Sequence, residues 1–194
     1  VGSRTCLEMK YLTLLVVLGL AVEILGSIDT SKCNKKVVGD PSFDFYRFIG
    51  YLYKLEAGTG TSDVKDYTSG NLAHMDIDDA WYSVLTVNGK DGTQVNYRYS
   101  IDEVYNQTIH ETLLVDGRAS DREYLVTFYG NKDRSYVLMY ICGAKTNGGH
   151  DLRYVFSFAN YKVTPTDWKR IALIDKLYNF SGNLVKLSTG VKVY

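Results

Sequence analysis

Net charge is what this sequence lacks most plainly. Its 22 Lys and Arg balance 22 Asp and Glu across 194 residues, and nothing basic is clustered enough to suggest a nucleic-acid partner. Histidine is nearly as scarce. Only His74, His110 and His150 occur, none at His-x-x-x-His spacing, so no metal site is expected. No Gly-x-Ser-x-Gly elbow or glycine-rich phosphate loop appears. His110 and Glu111 are adjacent on one strand, so they face opposite sides and cannot work as a pair on one substrate. An enzyme is therefore not expected. Only two prolines are present, with no low-complexity segment and no internal repeat.

Long apolar runs are limited to one. Met9-Lys10 opens it, Leu12 to Leu25 forms its core with Glu23 as an interruption, and the small residues Gly26 and Ser27 follow. The run is too short to cross a bilayer and stay, so residues 9–27 read as a secretory signal peptide. Residues 1–8 then read as upstream leader, and 28–194 as a single domain of roughly 167 residues. A secreted, extracellular product with no membrane span is expected. Cys6 would be lost with the leader. Cys33 and Cys142 remain, and in an oxidising compartment two cysteines are most simply one disulfide.

What is abundant is tyrosine, at 17 residues. Tyrosine favours strands and joins an apolar ring to a polar tip. The chain centres on Tyr136 to Cys142, a turn at Asn147-Gly148-Gly149, and Tyr154 to Phe158, where aromatics take alternate positions. Before it, residues 43–58 suggest a short 3₁₀ turn at Phe45 to Phe48 and a strand from Gly50. Residues 59–78 read as a long polar loop with a weak strand at Leu72 to Ile77. Strands follow at Ala80 to Val87, Thr93 to Ile101, Gln107 to Val115 and Glu123 to Tyr129, each closed by turn residues. Short strands with a turn about every ten residues argue for an antiparallel barrel or sandwich. One helix breaks the pattern. Thr164 can cap it, Pro165 suits its first turn, and Asp167 stands three residues after the cap. Trp168, Ile171, Ala172, Ile174, Leu177 and Tyr178 recur at helical spacing as one apolar stripe. Gly182 marks a stop, and a short strand is expected at Leu184 to Leu187.

Three blocks carry a resemblance to the lipocalins. Phe43 to Tyr53 resembles the family's opening turn and Gly-x-Trp strand. Tyr136 to Cys142 is similar to its tyrosine-rich strand ending in cysteine, and Gly149-His150 through Val163 to its last strand before the helix. The nearest subgroup is the arthropod bilin-binding proteins and insecticyanins, with apolipoprotein D a wider relative. The resemblance implies an all-β fold, an eight-stranded antiparallel up-and-down calycin barrel with one C-terminal α-helix packed outside. It also places Cys33 and Cys142 at the family's paired positions. Two departures stand out. Leu52 takes the place of the family's tryptophan and Asn160 that of the arginine packed across it, which implies a repacked barrel floor. The subgroup's second disulfide has no cysteines here.

An eight-stranded barrel is wide enough inside for one small ligand. If Cys142 points out, Met139 and Ile141 point in. The same alternation turns Tyr154, Phe156 and Phe158 inward, with Tyr124, Val126 and Phe128 matching on the strand before, and Tyr97 and Tyr99 adding two rings. These ten residues are the expected ligand lining, although such aromatics also fill solid cores in many small barrels. No cofactor is required. The expected function is a secreted carrier of a small hydrophobic ligand, and the resemblance favours a bilin such as biliverdin. Arg98, Arg122, Lys54 and Lys145 are candidate partners for its propionates. The alternative is a protein-binding, salivary inhibitor-type or storage lipocalin whose cavity is filled or incidental. Asn106 and Asn179 head glycosylation sequons. Self-association into a homo-oligomer stays open.

Overall fold

The computed structural model describes residues 28–59, 63–133, 135–144, 152–180, 182–187 and 193. The expected signal peptide, Cys6, the turn at Asn147 to Gly149, Lys145 and His150 lie outside the described residues. A 3₁₀ turn, Phe45–Phe48, precedes nine strands: β1 (Leu52–Thr59), β2 (Tyr67–Ile77), β3 (Ala80–Gly89), β4 (Gln94–Tyr105), β5 (Thr108–Val115), β6 (Arg118–Lys132), β7 (Tyr136–Ala144), β8 (Leu152–Phe158) and β9 (Leu184–Lys186). One helix, α1 (Pro165–Leu177), lies between β8 and β9.

Strands β2 to β8 pair antiparallel in chain order, and β1 closes the ring by pairing with both β8 and β2. The result is the expected closed eight-stranded barrel, with β9 added along the end of β1 at Ala57 to Thr59. Closure puts alternate side chains inside and outside. Two apolar cores follow. The inner one includes Tyr53, Leu55, Leu72, Val126, Phe128, Met139 and Phe156. The outer one, between barrel wall and helix, includes Tyr129, Leu138, Tyr140, Cys142, Val155 and Ile171. A bulge between Leu55 and Ala57 breaks the alternation of β1, so Leu55 packs inside while Ala57 joins the outer core.

The outer core holds the chain ends. The Cys33–Cys142 disulfide joins residues 109 apart. Beside it, the Asn34 amide N–H donates to the Tyr140 hydroxyl at 2.8 Å and the Asn34 side chain donates to the Tyr178 carbonyl at 2.8 Å. The helix starts on the expected capping box between Thr164 and Asp167. Asp167 also accepts from Lys132 at 2.8 Å and from Tyr161 at 2.6 Å. Burial opposes the charge on Asp167, but these hydrogen bonds outweigh it and hold the carboxyl well below its ordinary range. Deeper in, Arg153 and Asp175 form an ion pair with both side chains fully buried. The Tyr129 hydroxyl donates to Asp175 at 3.2 Å, and Arg153 donates to the Gly182 carbonyl at 2.7 Å.

Several expectations need correction. Residues 67–77 are one strand and not a loop with a weak strand at its end: β2 is among the longer strands, its inner positions Gly70, Leu72 and His74 buried. Thr68, Ser69, Gly70 and Asn71 gave its first part a loop-like composition. The inward position near the start of β1 belongs to Tyr53, which is 1% exposed, whereas Leu52 is 51% exposed. Gly50 has φ of 83° and the strand begins only at Leu52, one register step later than Gly-x-Trp spacing suggests. Leu177 does not belong to the helix stripe and is 79% exposed. At about 100° per residue it lies far round from Ile171, and Asp175 takes the wall-facing place instead. The helix ends at Leu177, ahead of Gly182, with Asn179 turning the chain at φ of 51°.

Two outcomes check this packing. Cys142→Ser should lower the denaturant midpoint, since so long a closed loop contributes on the order of 4–5 kcal/mol by chain entropy and commonly somewhat less in practice; an unchanged midpoint would remove the disulfide's role. Asp175→Ala should cost about 3–5 kcal/mol by leaving the Arg153 guanidinium without its carboxylate, and replacing both residues by apolar ones of similar size should recover most of that in urea unfolding.

Candidate ligand cavity

The closed end of the barrel is an aromatic plug. Asp44 caps the 3₁₀ turn by accepting from the Tyr46 amide, and the turn drives Phe45 and Phe48 into the floor. Phe43 stacks on Phe128 at 4.1 Å between ring centroids and Phe48 stacks on Tyr53 at 5.1 Å. Phe158 meets Tyr53 edge-on at 4.8 Å. His74 completes the plug, 1% exposed, with its ring 5.2 Å from that of Phe45. Among the described residues, neither His74 nitrogen nor the Tyr53 hydroxyl has a hydrogen-bond partner. Burial pushes the His74 imidazole down to about 4 and the Tyr53 phenol up.

Above this floor lies a cavity of about 130 Å³, lined by Leu72, Ser83, Leu85, Tyr99, Glu111, Tyr124, Met139, Ile141, Leu152, Tyr154 and Phe156. Seven of the eight barrel strands contribute, so no contiguous stretch of sequence encodes the site. Among the expected lining residues, Tyr99, Tyr124, Met139, Ile141, Tyr154 and Phe156 face this space. Val126 and Phe128 are fully buried in the packing around it, while Tyr97 and Phe158 pack half-buried against the inner core. Larger hollows lie on the exterior, along α1 and beneath the 3₁₀ turn. They lie on the outer surface, whereas this cavity lies inside the barrel between buried and half-buried side chains.

The cavity is not uniformly apolar. Glu111 points into it from β5 and is 5% exposed. The Ser83 hydroxyl, reaching across from β3, donates a short hydrogen bond to its carboxylate. Burial raises the Glu111 carboxyl to about 7, opposed by the Ser83 bond and reinforced by Asp102. Burial likewise lifts Tyr99 well above its ordinary value, with Glu111 adding to the effect. The rings of Tyr99 and Tyr124 meet edge-on at 6.0 Å.

Glu111, Ser83, Leu72, Leu85 and Leu152 were absent from the sequence-based lining. A signal for Glu111 existed: alternation separates His110 from Glu111, and Ile109 and Leu113 share the face of Glu111. His110 is the outward member, 3.3 Å from Glu123. Of the candidate cations, Arg98, Arg122 and Lys54 do not line the cavity, and Lys145 lies outside the described residues. Arg98 lies over the outer face, 4.3 Å from the Tyr82 ring centroid, and Lys54 pairs with Glu56 at 3.2 Å. Arg122 is exposed on the strand face that carries Tyr124. Among the described residues, no three His, Cys, Asp or Glu side chains come together as metal ligands.

No family model matches this chain, and no curated protein matches it. Solved structures do. The tryptamine complex of the amine binding protein of Rhodnius prolixus is 18% identical with a TM-score of 0.57, over 82% of this chain and 85% of that one. Lipocalin 12 from rat epididymis is 10% identical with a TM-score of 0.57, over 76% and 85%. The major allergen Per a 4 from cockroaches is 12% identical with a TM-score of 0.54, over 74% and 86%. At these identities the likeness shows the fold, which is the calycin barrel of the lipocalins with a single helix outside.

The two buried titratable groups pull stability in opposite directions with pH. Unfolded, His74 takes its proton near 6.5 and Glu111 gives up its own near 4.5. Below 6.5 the unfolded chain binds the histidine proton first, so His74 costs stability as pH falls towards 4. Above 4.5 the unfolded chain loses the glutamate proton first, so Glu111 costs stability as pH rises towards 7. His74→Leu should remove the first slope and leave a variant whose melting temperature drops by several degrees from about pH 5 to about pH 7. A variant that keeps the wild-type pH profile would contradict the burial of a neutral His74, and one without the fall from pH 5 to pH 7 that of Glu111.

Proposed function

We propose that this chain is an extracellular carrier that takes one compact, ring-bearing molecule into the barrel and holds it by burial. The observation that carries this reading is the cavity inside the barrel above the aromatic plug, lined by Tyr99, Tyr124, Tyr154 and Phe156. Its volume of about 130 Å³ is close to that of cavities that accept benzene, roughly 150 Å³. Two structural neighbours, a biogenic amine-binding protein and the amine binding protein of Rhodnius prolixus in complex with tryptamine, support a small ring system as the kind of guest. The disulfide supports an oxidising, extracellular setting. Asn106 and Asn179, both exposed, are the proposed glycan acceptors.

A tetrapyrrole such as biliverdin, favoured by the sequence resemblance, fits this interior less well. It needs several times the volume, and its propionates need cations where the cavity offers Glu111. Binding by burial also sets a scale. Each 100 Å² of apolar ligand surface contributes roughly 2.5 kcal/mol before ordering costs, so a single ring needs a polar anchor to bind tightly.

The test is an absorption spectrum of the purified protein with mass spectrometry of its organic extract. The expected result is no band in the red and a retained small ring-bearing compound. Ile141→Trp should keep the barrel's circular dichroism while abolishing retention, because the indole fills the cavity. A red band with a tetrapyrrole mass would replace this reading with a pigment carrier. An empty extract, with no uptake of small aromatics by the folded protein, would shift it to protein binding through the loops.

A further inference from the structure

A carboxylate inside a closed apolar barrel is expensive, and the chain keeps one. Taking an ionised acid out of water costs several kcal/mol unless a charge or a full set of hydrogen bonds compensates. Glu111 has the Ser83 hydroxyl, a single donor against the roughly four acceptor sites of a carboxylate. Among the described residues, no Lys, Arg or His lines the cavity. The remaining acceptor capacity borders the space where a guest would sit.

We propose that Glu111 is the counter-ion of the bound molecule, so that the barrel selects a ring carrying a protonated primary amine. The inference rests on the carrier reading above and adds the chemical class of the ligand. Three features of the cavity fit an ammonium group. Glu111 supplies the charge, and Ser83 holds its carboxylate in place from the neighbouring wall. Tyr99, Tyr124 and Tyr154 present aromatic surface near it, and a cation is attracted to the faces of such rings. Met139, Ile141 and Phe156 leave the far side apolar for the ligand's own ring. An anionic guest would meet the carboxylate directly, and a neutral one would leave its charge uncompensated.

Among the described residues, the charged and titratable surroundings of Glu111 are few. Ser83 faces it from β3, Tyr99 from β4 and Tyr124 from β6, with Tyr154 across on β8. Asp102 acts on it from β4 as a like charge. His74 lies on β2 opposite Ser83 in the strand register and stays neutral in its apolar setting. Arg122 is exposed, two residues from Tyr124 on β6. The acid is therefore poised between its two forms in the empty barrel, and an arriving ammonium favours the charged one. Binding then expels part of a proton, and affinity weakens as the solution is acidified.

The experiment is isothermal titration of the whole secreted protein with phenethylamine, phenylethanol and phenylacetate, which share one ring and differ in charge. Phenethylamine should bind about thirtyfold or more tighter than phenylethanol, as losing one partner of a buried charge pair implies, and phenylacetate should bind weakest. Glu111→Gln, checked for folding by its thermal melt, should bring the amine down to the level of the alcohol. Amine affinity should fall below about pH 7 in the wild type and stay flat in that variant. Equal binding of amine and alcohol, or an amine affinity unmoved by Glu111→Gln, would overturn the proposal and leave the carrier reading standing. A folded barrel that takes up none of the three would bring down both.

Discussion

β1 is hydrogen-bonded on both sides, and the rest of the molecule follows from that constraint. Its pairing with β8 on one side and β2 on the other turns an open meander into a ring without free edges. Once the ring is closed, every side chain on it faces either a shared interior or the outside. Tyr53, Leu72, Phe128 and Phe156 come from strands far apart in sequence, yet they share one core because closure leaves them no other direction. The 3₁₀ turn ahead of β1 then covers one end with Phe45 and Phe48. The opposite end of the interior keeps a space that side chains do not fill.

Outside the ring the energetics change character. The inner core is held by aromatic contact. The outer one is also tied by directional links: the Cys33–Cys142 disulfide, the Thr164–Asp167 cap and the Arg153–Asp175 pair. These links hold the N-terminal arm, α1 and β9 against one side of the barrel. A buried ion pair of this kind adds less to net stability than to specificity, since its desolvation cost offsets much of its attraction. Its effect here is to set where the helix lies and how the chain turns at Gly182. The cavity is thus walled by strands braced from behind, the arrangement a preformed binding site requires.

The interior couples its chemistry to its dryness. Excluding water raises Glu111 to where small changes in surroundings alter its charge, and depresses His74 so that its imidazole stays neutral. They lie on different strands and in different layers, one facing the cavity and one within the plug. The same desolvation acts on both, and only the glutamate borders space that a guest can enter.

Much of the fold was legible from local pattern. Alternating aromatics in β8, the tyrosine-rich β7 and the Thr-Pro-Thr-Asp helix start each declare themselves within a few residues, because strand and helix periodicities are properties of short segments. Six cavity-lining residues could be placed by extending that alternation from the outward cysteine. Only the Leu72 to Ile77 end of β2 was read as strand, because Thr68, Ser69, Gly70 and Asn71 read as loop in isolation. Leu52 was placed inward because the residue at which β1 begins is set by pairing with β2 and β8. Glu111 was the largest omission. Its own strand says only that it lies opposite in sense to His110. The sequence by itself determined which residues alternate and where the chain turns. The tertiary structure alone decided which face became the interior and left a carboxylate beside an interior cavity, because inside and outside exist only once the first strand has closed the barrel.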